Sequence, residues 1–144
     1  MNLSHLLFLC AISINVVSCG GNGSPPAPPL EPSPVVFVFR LHGQAATEEF
    51  RVSSSSTEFL SQARAQLMLP EAQRFLFASG PIQAGNGGHN GGWHWHYTAN
   101  VALAELAIEL CDATPSMVEA DLDYWLNTVQ SFCPWSSYVY AEVQ

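Results

Sequence analysis

The sequence predicts an α+β domain: an antiparallel sheet of about five strands, packed on one face by about three helices and closed by one disulfide. β-rich or alternating runs stand at both ends of the body of the chain, at residues 35–41, 49–52 and 138–143. Capped helical patterns lie between them, at residues 57–67 and 114–129. Two cysteines, Cys111 and Cys133, are the only ones in that body.

Each element has its own warrant. Val35-Val-Phe-Val-Phe-Arg-Leu41 has the length and composition of a buried strand, and Glu49-Phe-Arg-Val52 alternates like a half-buried neighbour. A turn at residues 42–44 joins them as a hairpin. Thr57 reads as a helix N-cap with Glu58 in the first turn. Phe59, Leu60, Ala63 and Leu67 share one helical face, and Pro70 closes the segment. Residues 74–79 are strand-like until Gly80-Pro81 breaks or turns the run.

Residues 85–92, Gly-Asn-Gly-Gly-His-Asn-Gly-Gly, must be a loop, because so much glycine maximises backbone freedom and packs nothing. Residues 93–97 then suit a short strand, with Trp93, Trp95 and Tyr97 on one face and His94 and His96 on the other. Residues 101–110 are apolar around most of a helical circumference, with Glu105 and Glu109 as one narrow stripe, which predicts a helix buried on nearly all sides. Thr114-Pro115 opens the next helix as N-cap and first-turn proline, with Ser116 and Glu119 as an alternative capping box. Val118, Leu122, Trp125, Leu126 and Val129 face inward, while Glu119, Asp121 and Asp123 face outward. Residues 138–143 close the sheet, giving the order ββαββααβ.

The N-terminal region is organised differently. Residues 6–17 form an apolar run that contains Cys10 and is too short to span a bilayer. Ending in Val-Val-Ser-Cys19, it resembles the signal peptide and lipobox of bacterial lipoproteins. The division is then a signal at 1–18, a Gly/Pro-rich tether at 19–34 and one domain at 35–144. The resemblance implies lipidation at Cys19 and anchoring in the cell envelope, at the outer membrane where there are two. The alternative is an ordinary secretory signal cleaved near Cys19.

Composition excludes some partners. The formal charge is −8, with four arginines and no lysine. Such a chain has no footprint for a phosphate backbone, so nucleic acid is not a partner. Electrostatic attachment to anionic lipid is equally disfavoured, leaving the acyl anchor at Cys19 as the membrane link.

Residues that can carry chemistry are few. In an exported protein, Cys111 and Cys133 read as a disulfide, with two buried thiols as the alternative. Closing the intervening loop contributes roughly 3 kcal/mol. His94-x-His96 on one strand face, with His89 from the loop, is a workable set for Zn or Cu. The alternative is that these histidines are solvent-facing or hydrogen-bonded neighbours of a Trp-rich strand. No phosphate-loop lysine and no Gly-x-Ser-x-Gly nucleophile motif exists.

The blocks Trp93-x-Trp95-His96, Ala107-Ile-Glu-Leu-Cys111-Asp112, Val118-Glu119-x-x-Leu122-Asp123 and Cys133-Pro134-Trp135-Ser136 resemble the binding protein seventy-four N-terminal family. The strand at Phe37–Leu41 resembles the family's opening strand. The resemblance implies binding rather than catalysis. It also implies a structural role for His96, hydrogen-bonding a helix start. The expected function is an exported binding or interaction domain with no catalytic residue and no cofactor. Its contact region is the loop 85–92, with His89, Asn90, Trp93, His94 and His96. A metal protein using His89, His94 and His96 is the first alternative, and a secreted-protease inhibitor the second.

Overall fold

The computed structural model describes residues 33–143. The signal segment, Cys19 and the tether as far as residue 32 lie outside the described residues. What is described is α+β, with antiparallel strands in two sheets, three helices and one disulfide.

The first sheet has the order β2-β1-β7. Strand β1 (Val35–Leu41) is central, flanked by β2 (Phe50–Ser54) and the closing strand β7 (Ser137–Glu142). Phe37, Phe39 and Leu41 point into the core, as their period-two spacing requires. The β1–β2 connection is longer than a tight turn and includes a 3-10 turn at Ala46–Glu48. Helix α1 (Thr57–Leu67) buries Phe59, Leu60 and Ala63. Its N-cap is Ser56 rather than Thr57: Ser56 keeps extended backbone angles, and its Oγ accepts from the Phe59 amide at 3.3 Å. In a run of four serines, the end of β2 decides which one caps.

The second sheet is built around β3 (Phe77–Ala84). Gly80-Pro81 does not break this strand, contrary to expectation. The Pro81 carbonyl accepts from the Thr98 amide at 2.9 Å, while Gly80 and Pro81 pair with β6 (Ser131–Phe132). Glycine is required here because a Cβ at Gly80 would lie 2.9 Å from the Val101 Cα.

Strands β4 (Trp95–Tyr97) and β5 (Ala102–Ala104) pair with successive parts of β3. The helix expected over residues 101–110 does not exist. Those residues form β5, an irregular segment and a 3-10 turn at Glu109–Cys111, leaving Leu106, Ile108 and Leu110 exposed. An apolar run of this length does not distinguish strand from helix by periodicity. The open backbone of β3 at Phe77–Ser79 is what selects strand.

Helix α2 (Pro115–Ala120) starts as expected, with the Thr114 side chain accepting from the Met117 amide and Pro115 in the first turn. It leads into α3 (Leu122–Tyr124) and a π-turn at Trp125–Val129, which Gln130 ends with a positive φ of 60°. Val118 and Trp125 are buried, and Leu122, Leu126 and Val129 pack partly against the core. The Cys111–Cys133 disulfide joins the 3-10 turn to the residue after β6, with Cα atoms 5.1 Å apart. Among the described residues, no helix is long and apolar enough to cross a membrane.

Candidate functional site

The glycine loop at residues 85–92 joins β3 to β4 and is held down at both flanks. The Gly85 amide donates to the His94 carbonyl at 2.8 Å. The Asn86 carbonyl accepts from the Asn90 amide at 2.9 Å, and the Asn86 side chain accepts from the Gly88 amide.

Asn90 is the anchor. It is buried, its Oδ1 accepts from the Arg51 amide of β2 at 2.8 Å, and its Nδ2 donates to the Trp95 carbonyl of β4 at 2.9 Å. One side chain thus ties the two sheets together. Trp93 repeats the link, donating from Nε1 to the Glu49 carbonyl at 2.9 Å. Both residues, expected to contact a ligand, spend their polar groups on the scaffold. Asn90→Ala leaves a buried amide and a buried carbonyl without partners and is expected to cost about 2 kcal/mol. Urea unfolding followed by Trp fluorescence measures that loss.

The three loop histidines do not share one set of neighbours. The His89 ring lies edge-on to His96, with centroids 5.7 Å apart, and its Nδ1 donates to the Gly87 carbonyl at 2.9 Å. Burial lowers the His89 pKa, and nearby His96 pushes the same way, against the Gly87 hydrogen bond. His96 donates from Nδ1 to the Gly85 carbonyl at 2.6 Å and accepts at Nε2 from the Gln83 side chain at 2.7 Å. Both nitrogens of His96 are therefore occupied. Its role is structural, as the family resemblance implied, but it bonds the loop and β3 rather than a helix start. Gly87 makes this pairing possible, since a Cβ there would lie 2.6 Å from the His96 ring.

His94 goes elsewhere, pairing through Nδ1 with a Glu119 carboxylate oxygen while its amide donates to the other at 3.0 Å. Glu119 was expected to face solvent. It reaches back from α2 to the loop end instead. Burial acts to raise the Glu119 pKa, but the hydrogen bonds and charge of His94 outweigh it and hold the carboxyl below its usual value. That contact contributes stability above the unfolded-state carboxyl pKa and loses it as pH falls through the lower folded-state value. Among the described residues, no group of three or more His, Cys, Asp or Glu side chains is placed to hold a metal ion.

Two clefts flank the loop. One, of about 420 Å³, is lined by Ala46, Glu49, Arg51, Asn90, Gly91 and Gly92. The other, of about 240 Å³, lies between Ser53–Ser55 and the His89/His96 pair. In the larger cleft, Glu49 is held by Arg40 at 3.0 Å, while the exposed Arg51 has no ion-pair partner among the described residues. No local motif marks Arg51. Its only sequence signal is being one of four cations, on the polar phase of an alternating strand.

Comparison with known proteins gives one finding. The family model for the binding protein seventy-four N-terminal domain matches residues 33–144. No curated protein and no solved structure matches the chain.

Proposed function

The chain belongs to the binding protein seventy-four N-terminal domain family, and from that premise we propose that it is a binding module whose contact face is the glycine loop with Arg51. The observation that carries this is the larger cleft beside the loop. There an unpaired guanidinium stands against Gly91 and Gly92, positions with open space around them. Loops held on a rigid scaffold are where binding concentrates. An exposed guanidinium beside bare backbone suits a carboxylate or another hydrogen-bond-accepting group. Binding is favoured over catalysis because the imidazoles beside the loop are engaged in hydrogen bonds to the loop, β3 and α2.

The test is a panel of carboxylate-bearing, sulfate-bearing and neutral sugar-like small molecules, read by amide chemical shifts. Responses are expected at Arg51, Gly91 and Gly92, and are lost in Arg51→Ala. Gly91→Trp fills the cleft without a steric clash at Cβ and is expected to abolish them while the unfolding midpoint is kept. Responses confined to other residues, or none, sink the assignment. Deleting loop residues is not a fair test, because Asn90 holds the two sheets together.

Export and lipid anchoring at Cys19 belong to the same proposal. They rest on the Val-Val-Ser-Cys19 ending and on the Gly/Pro-rich stretch that follows it. The full chain expressed in a bacterium is expected in the membrane fraction, and Cys19→Ala in the non-membrane fraction. Equal partitioning of the two proteins refutes anchoring.

A further inference from the structure

We propose that residues 105–110 form an edge on which the domain binds an extended partner polypeptide with alternating apolar and cationic side chains. The chain leaves β5 at Ala104 without entering another ladder. Among the described residues, the Leu106, Ala107 and Ile108 amides donate to no other backbone group. Ile108 itself has extended backbone angles, φ −79° and ψ 146°. A row of free amides on such backbone is a template for strand addition, in which main-chain hydrogen bonds give affinity and side-chain pockets give specificity.

The pockets are present. Leu106 is 90% exposed and Ile108 69%. On one side, a cleft of about 280 Å³ lies among Phe75, Phe77, Leu106 and Trp135. On the other, a cleft of about 270 Å³ lies among Leu106, Ile108, Leu110, Val129 and Cys111. The disulfide holds the far end of the segment, so the edge is ordered before anything binds.

Charge selects the occupant. Glu105 and Glu109 are exposed in this segment and have no ion-pair partner among the described residues. The arginines serve elsewhere: Arg40 holds Glu49, Arg64 holds Glu142, Arg74 donates to the Leu69 and Val139 carbonyls, and Arg51 lines the glycine-loop cleft. A second copy would bring the same carboxylates into opposition. An anionic lipid surface would meet a chain of net charge −8. A cationic, apolar strand satisfies the free amides, the clefts and the carboxylates together.

The test is panning a display library of random dodecapeptides on the full chain, with the enriched peptides measured by fluorescence anisotropy. Enriched sequences are expected to alternate apolar residues with Lys or Arg. Leu106→Ser with Ile108→Ser is expected to weaken their binding by at least about tenfold. These side chains are mostly exposed, so the unfolding midpoint is expected to hold. Glu105→Gln with Glu109→Gln weakens binding several-fold and flattens its salt dependence, while Arg51→Ala leaves it unchanged. No enrichment, enrichment of peptides lacking cations, or binding that survives the Leu106/Ile108 double change overturns the proposal. So does self-association, or capture of phosphatidylcholine vesicles, that the same double change abolishes, since either assigns this face to a different occupant.

Discussion

Phe132→Ala is expected to destabilise the domain by about 3–5 kcal/mol, the range for emptying a fully buried aromatic site. Phe132 is completely buried at the point where both sheets and the helical segment meet. Its ring lies 5.0 Å from that of Trp95, 5.8 Å from Phe50, 5.9 Å from Tyr97 and 6.1 Å from Trp125. Those neighbours come from β2, β4 and the π-turn, so no single element can move in to fill the void. Against a typical domain stability of about 5–15 kcal/mol, the loss removes a large fraction of the total. Denaturant unfolding monitored by Trp fluorescence measures it, and Phe132→Leu, which leaves a smaller void, is expected to lose less. A change under about 1 kcal/mol in Phe132→Ala means that the aromatic cluster does not close over Phe132 as described.

Removing the disulfide is expected to cost about 3 kcal/mol, the entropy of releasing a loop of this size in the unfolded chain. Cys111→Ala with Cys133→Ala isolates the effect, because both side chains are buried beside Phe77 and alanine introduces no unpaired thiol. The damage is expected to be uneven. The Cys133 amide donates to the Cys111 carbonyl at 2.8 Å, so this crossing also holds residues 105–110 beside β6. Amide exchange is expected to speed up most at residues 105–112 and least in β1. Uniform acceleration argues that the bridge acts only on the unfolded chain. A reductant added to the wild-type protein reproduces the same shift in unfolding midpoint.

The elements that followed from the sequence are those set by neighbours in the chain. Val35–Leu41 is a strand because its side chains alternate into a core. Pro115 starts a helix because Thr114 caps it. The Cys111–Cys133 bridge followed from there being two cysteines in an export-type chain. The misread elements have long-range causes. Residues 101–110 satisfy a helical pattern, and only β3, far earlier in the chain, makes the first of them a strand. Gly80-Pro81 looks like a break until the close approach of the Val101 backbone gives the glycine a use.

The candidate site divides in the same way. The glycine loop and its histidines stood out by composition, but what they do depends on partners far off in sequence. Asn90 meets Arg51, His94 meets Glu119 and Trp93 meets Glu49 only after the two sheets and α2 have packed. The sequence by itself determined the α+β class, the disulfide and the acidic, lysine-free surface, because composition, periodicity and capping act locally or through the chain's overall charge. The tertiary structure alone decided which polar groups are spent on the scaffold and which stay free. A hydrogen bond needs two groups within about 3 Å, and a one-dimensional chain does not record which of its distant residues will be that close.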